Sequence, residues 1–173
     1  RFYTQYSSYN SQYNNELDLL MSYHHILVPV DGSELSFSAV RHAAEIAKTF
    51  KAKLTLISIV AEGPFTDSNF NYYYSPAITK ELFIQAYQNA ENTLEKASAI
   101  ASDIGVSSET KVIQASIKAS IVGDAIIQTI VQLPADLIVM GSNDRKGFRK
   151  MLLGNVAAEV MRSTQLPVLV VKS

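Results

Sequence analysis

Five short runs suited to strands alternate with four stretches of helical periodicity, and nothing else in the sequence restricts the fold as much. The runs are His25–Val30 (HILVPV), Lys53–Val60 (KLTLISIV), Glu109–Ala115, Leu137–Met140 and Val168–Val171. Between the first two, Phe37, Val40, Ala43, Ala44, Ala47 and Phe50 recur at helical spacing, predicting a helix over Glu34–Phe50. Leu82, Ala86, Ala90, Leu94, Ala97, Ala101 and Ile104 predict a second over Thr79–Ile104, with Gly105 placed for a left-handed cap. A third is expected over Ser120–Leu133, stopped by Pro134, and a fourth over Val156–Arg162, entered from a Gly-Asn turn. The order is βαβαβαβαβ. Short, continuous apolar strands joined by helices predict a parallel sheet covered on both faces.

Composition narrows the class. The chain has 173 residues, 47% of them apolar, which fits one domain with a sizeable core. A net charge of -1 provides no general field for nucleic acid or an anionic membrane, so neither is expected as a partner. The absence of cysteine excludes disulfides, thiol chemistry and cysteine-based zinc sites, and agrees with a cytoplasmic location. No apolar run approaches the roughly 20 residues of a membrane span. The segment RFYTQYSSYNSQYNN is too polar to bury a core. Residues 1–21 are therefore expected to be a flexible or non-native tail, with Met21 a natural start and the domain over 22–173. The alternative is an arm that packs on another subunit.

Two loops carry residues suited to chemistry. In open α/β sheets ligands bind beyond the carboxyl ends of strands, where strand order reverses. The first loop is Asp31-Gly32-Ser33: Asp31 can accept hydrogen bonds from ribose hydroxyls, and Ser33 or Ser36 can cap the next helix. The alternative is that Asp31 and Ser33 only organise the turn. Just before it stands Pro29, which has no N–H for a sheet ladder; it is read equally as the site of a bulge or as a plain terminator. The second loop runs from Gly141 to Asn155 and holds Arg145, Lys146, Arg149 and Lys150. Its glycines and the helix N-terminus expected after Gly154 suit a phosphate. A solvated basic loop is the alternative.

The stretches HILVPVDGSELSFSAVRHAAEIAK and DLIVMGSNDRKGFRKMLLGNVAAEVMRSTQLPVLVVKS closely resemble universal stress proteins, from about Tyr23 to the C-terminus. The resemblance implies a single Rossmann-like domain: a five-stranded parallel sheet in the order 3-2-1-4-5, with four helices on two faces. It implies a homodimer through the last strand, Val168–Val171. It also implies an adenine nucleotide, ATP or AMP, accompanied by Mg2+. The family's ATP-binding branch carries glycine, two residues, glycine, nine residues, glycine and then serine or threonine. Gly141 and Gly154 match the first and third glycines, whereas Asp144 and Asn155 replace the second glycine and the hydroxyl. By the same resemblance Pro29, Val30 and Asp31 line the adenosine side and Ile59 offers backbone atoms to adenine. Met140, Ser142, Arg145 and Gly147 belong to the phosphate loop and its approach, and Val156 follows the phosphate turn.

Asp144 tolerates a turn glycine's backbone better than most residues. Its carboxylate would oppose phosphate by about 1–4 kcal/mol at ~4 Å unless a magnesium ion lay between them. Asn155 can cap a helix and donate to a phosphate oxygen. Nucleotide binding weaker than an intact motif gives is therefore the expectation. His24 and His25 are expected to precede the first strand in exposed positions, and His42 to sit on a helix, all three structural. The Tyr72–Tyr74 run is read as a partly buried loop. With no general base or nucleophile in evidence, the leading reading is a stress-response protein that binds nucleotide without strong catalysis. The alternatives are a nucleotide-free homodimeric interaction protein and a slow ATPase.

Overall fold

The computed structural model describes residues 22–61, 76–115, 122–142 and 151–172. The elements are β1 (His25–Pro29), α1 (Glu34–Phe50), β2 (Lys53–Ala61), α2 (Pro76–Ile104), β3 (Ser108–Ala115), α3 (Val122–Gln132), β4 (Leu137–Gly141), α4 (Met151–Ser163) and β5 (Val168–Val171). The strands form one sheet in the order β3-β2-β1-β4-β5. Every neighbouring pair is parallel. The expected α/β architecture is the observed one.

The two faces follow from the period-2 alternation of strand side chains. Ile26 and Val28 of β1, with Val30 just beyond it, join Leu54, Leu56, Leu137 and Val139 under α1 and α2. Those helices present Val40, Ala43, Ala44, Ala47, Leu94, Ala97 and Ala101, and the small alanines let the helix axes come close to the sheet. Leu27, Ile57, Ile138 and Met140 face the other way, against Ile126 of α3 and Val156, Ala157 and Val160 of α4. Ile26, Leu27 and Val28 have no exposed surface. Each such side chain stabilises the fold by about 1.5–3 kcal/mol through burial.

Helix ends match their local chemistry. Ser33 caps α1, its hydroxyl accepting from the Ser36 N–H at 3.1 Å. Gly105, at φ +91, ends α2: its N–H donates to the Ser102 carbonyl at 2.9 Å and that of Val106 to the Ala101 carbonyl at 3.0 Å. This pair of bonds satisfies carbonyls the helix leaves open. Lys51 takes the same left-handed role after α1 at φ 55, without glycine's freedom.

Several sequence expectations give way. β3 is the edge strand that the order 3-2-1-4-5 implies, but its Glu109, Thr110 and Lys111 are exposed instead of buried. Phe50 stands outside the core and meets Tyr23 edge-on, ring centres 5.6 Å apart. α4 begins at Met151, not Val156, because Met151-Leu152-Leu153 are good helix formers and carry the helix through Gly154. His25 opens β1, where the run HILVPV begins, but it is 5% exposed and so not in the exposed position expected. The tail 1–21, the loop holding Tyr72–Tyr74 and the residues 120 and 121 lie outside the described residues.

A polar clip joins the amino ends of β1 and β4. Asp136 accepts the His25 N–H at 3.0 Å and the His24 N–H at 2.8 Å, and its own N–H donates to the His25 carbonyl at 2.9 Å. Partial burial pushes its carboxyl upward, but the two N–H donors and the His24 ring outweigh this and hold it below its ordinary value. The His25 ring meets the Thr55 hydroxyl at 2.8 Å. Burial, then Lys53 and Lys111, lowers its pKa below the ordinary 6.5, against the opposing pull of Glu109 and Asp136.

The unfolded chain thus binds a proton at His25 more readily than the folded one. The contribution of His25 to stability is complete above about pH 6.5 and is lost as pH falls toward the lower native value. Urea denaturation between about pH 7.5 and about pH 5 should show stability declining over that window. His25→Gln, which retains a partner for Thr55, should remove this part of the slope.

Candidate functional site

Strand β1 keeps its neighbour on one side longer than on the other. Toward β2 it pairs along its whole length, from His25↔Lys53 to Pro29↔Ile57. Toward β4 it pairs only at Ile26↔Leu137 and Leu27↔Ile138. The cause is Pro29. The Val30 N–H reaches the Ile57 carbonyl at 2.7 Å, so even-numbered residues of β1 turn their main-chain groups to β2 and odd-numbered ones to β4. The missing N–H of Pro29 falls on the β4 side, where the next rung would form. One-to-one register with β2 rules out a bulge there, so Pro29 acts as a one-sided terminator.

β4 leaves β1 in company with β5. Their register runs to Gly141↔Val171, and the Ser142 N–H continues it to the Val171 carbonyl at 2.8 Å. The carboxyl ends of β1 and β4 are the point where strand order reverses, the place at which open α/β sheets form their crevice.

The Asp31 loop forms one wall. Asp31 Oδ1 accepts the Ser33 N–H at 2.9 Å and the Ser33 hydroxyl at 2.6 Å. The same hydroxyl accepts the Ser36 N–H, so turn and helix cap share one group. Among the described residues nothing occupies Oδ2, and Asp31 is exposed. Gly32, at φ +82, is required by its left-handed backbone; a Cβ there would also lie 3.3 Å from the Thr93 hydroxyl of α2. No pattern in the sequence pointed to Thr93.

Gly141 joins the two loops. A Cβ at this position would stand 3.0 Å from both the carbonyl carbon and oxygen of Leu35, in the first turn of α1. The glycine lets that turn lie against the end of β4, so the start of α1 and the exit of β4 share one corner. Sequence reasoning read Gly141 only as a glycine open to an anion, and missed this packing.

Of the other expected site residues, Val30, Met140 and Val156 are buried, at 3%, 0% and 4% exposure. Ile59 is half-buried, and Ser142 likewise. Ile59 turns its N–H and C=O as Ile57 does, toward β1, but lies beyond that strand's end; no described residue bonds them. Gly154 and Asn155 lie inside α4 instead of in a turn before it, so Asn155 is not its cap. Their N–H groups fall past the first free donors of that helix. Asp144, Arg145 and Gly147 lie outside the described residues.

A parallel sheet of this order with helices on both faces defines an α/β protein of Rossmann-like fold. The sequence profile described as the Universal stress protein family matches residues 22–172. The chain belongs to the universal stress protein family. It is 33% identical over 150 residues to a universal stress protein of Methanocaldococcus jannaschii, covering 87% of this chain and 82% of that one. A crystal structure of a universal stress protein in complex with cAMP is 26% identical, covers 87% of this chain and 97% of its own, and has a TM-score of 0.58. A universal stress protein from Lactobacillus plantarum has a TM-score of 0.69 at 22% identity, covering 87% of this chain and 98% of that one. That last likeness concerns the fold alone.

Gly141→Ala should destabilise the protein by about 1–3 kcal/mol, because the atoms it meets are backbone and yield little. A shift in the urea midpoint with an unchanged slope would report this. No shift would mean that the first turn of α1 moves freely away from β4.

Proposed function

We propose that this protein binds an adenine nucleotide in the crevice between β1 and β4, as a stress-response protein without strong catalysis. The observation that carries the reading is the early end of the β1–β4 ladder at Pro29, beside which, among the described residues, Asp31 Oδ2 and the main-chain groups of Ile59 have no partner. Asp31 suits ribose hydroxyls: one carboxylate oxygen is held by Ser33 and the other is free to accept. Ile59 offers a donor and an acceptor to the edge of an adenine ring. Val30 lies on the adenosine side with Pro29, and Met140, Gly141 and Ser142 lead to the phosphates. Arg145 and Gly147 belong to the same phosphate loop, and Gly154, Asn155 and Val156 follow it. The relative in complex with cAMP supports an adenine nucleotide as the ligand class.

Asp144 decides which nucleotide is favoured. Its carboxylate opposes a triphosphate more than a monophosphate unless Mg2+ neutralises it. ATP binding should therefore depend on magnesium and AMP binding should not. β5 is the open edge beyond β4, with Leu169 39% exposed, and serves in this reading as the seam of a homodimer. The reading places the protein in the cytoplasm; among the described residues no helix is long and apolar enough to cross a membrane. A second reading, a nucleotide-free interaction protein, draws on the start of α4 at Met151, which commits the N–H groups of Gly154 and Asn155 to the helix.

Equilibrium dialysis with ATP, AMP and cAMP, each with and without magnesium, tests the proposal. The Asp144→Gly, Asn155→Ser double variant should bind magnesium-free ATP about tenfold more tightly, since it removes roughly the lower end of that repulsion. Failure of every nucleotide to bind, in both proteins and both conditions, overturns it.

A further inference from the structure

The edge of the sheet away from β5 carries a second candidate surface. β3 is paired with β2 on one side, from Leu54↔Ser108 to Ala61↔Ala115, and among the described residues with nothing on the other. Bond directions in β2 fix which groups are free. Lys53 donates its N–H to the His24 carbonyl and Ile57 receives that of Val30, so odd-numbered residues of β2 face β1 and even-numbered ones face β3. In the parallel register the odd-numbered residues of β3 then turn back to β2. The N–H and C=O groups of Ser108, Thr110, Val112 and Gln114 point outward.

The side chains of Ser108, Thr110 and Val112 also line a groove of about 560 Å³ between β3 and α2. Its helix wall includes Glu91 and Glu95, one turn apart, with Tyr87 and Ser98. Ser98 and Ser108 meet at 3.0 Å across the floor. Both glutamates are exposed, and among the described residues neither is in an ion pair. On the opposite face of β3, Glu109 is already held by Lys53 at 2.9 Å, and Lys111 stands exposed.

We infer that β3 and this groove form a docking site for an extended basic segment of a partner protein, which adds a sixth strand to the sheet. The free main-chain groups supply a ladder and the groove takes every second side chain. Charge selects the occupant. Lysine or arginine side chains entering the groove meet Glu91 and Glu95. On the other face Lys111 disfavours further cations, so basic residues alternate with uncharged ones. A second copy of this chain, joined edge to edge, would instead bring its own Glu91 and Glu95 toward these, carboxylate against carboxylate.

The test uses the full chain and a blocked nonapeptide alternating lysine with valine or threonine. Amide hydrogen exchange, resolved by residue, should show the outward N–H groups of Ser108, Thr110, Val112 and Gln114 slowed at least about tenfold at saturation. Glu91→Gln with Glu95→Gln should weaken binding about fivefold to tenfold, as for two solvent-exposed charge contacts. A peptide with glutamate for lysine, or one N-methylated at alternate residues, should give no protection. Unchanged exchange of the four amides at saturation overturns the proposal, as does equal protection by the glutamate peptide. Protection that grows with protein concentration alone assigns the edge to a second copy and also overturns it.

Discussion

One absent hydrogen bond organises the centre of this protein. β1 is the strand every other layer leans on: it is paired on both sides, covered on both faces, and without exposed surface over Ile26–Val28. A strand so placed would normally hold its neighbours to its end. Pro29 prevents this on the β4 side alone, because its missing N–H points there and the ladder with β2 needs none from it. The β1–β4 ladder stops at Leu27 while the β1–β2 ladder runs on to Pro29, at the end of the sheet where strand order reverses. At the amino end Asp136 does the reverse, clipping β1 to β4 through main-chain donors of both His24 and His25. The β1–β4 ladder is thus reinforced at its amino end and cut short at the other.

The corner where Gly141 meets Leu35 brings the Asp31 loop to the end of β4. A strand may end anywhere, but the Asp31 loop becomes part of a shared wall only because the first turn of α1 lies against β4. The loop is itself set by one serine hydroxyl that donates to Asp31 and accepts from Ser36. Its conformation is thereby coupled to the start of a 17-residue helix with a buried alanine face. The loop is backed by packed core, which is how it holds a carboxylate in one orientation.

The two sheet edges differ in the same physical terms. β5 is short and carries apolar side chains, whereas β3 is eight residues long and carries charge on one face and hydroxyls on the other. Charged side chains on an edge discourage indiscriminate pairing. Glu109 is committed to Lys53 and the groove carboxylates sit on α2, so the two faces of the β3 edge present opposite electrostatic environments to an incoming strand.

Much of this was legible in the residues. The alternation of strand and helix patterns placed all nine elements, because burial on a sheet face or a helix stripe imposes a period that residue order reveals. The Asp31 turn and its serine cap were legible for a similar reason: their hydrogen bonds join residues two and three apart. Local periodicity could not say that HILVP is central and SETKVIQA is an edge, since both read as strands. It placed the start of α4 too late, because a glycine that looks like a turn is tolerated inside a helix led by Met151-Leu152-Leu153. It mistook His25 for an exposed residue, since the partner that receives its ring is Thr55, 30 residues away. Residue order carried the alternation of strands and helices, the family resemblance and the proline at the end of β1. Which neighbour that proline fails to bond, what Gly141 must accommodate and which main-chain groups are free among the described residues are set by tertiary contacts, because each depends on atoms that the chain brings together from far apart.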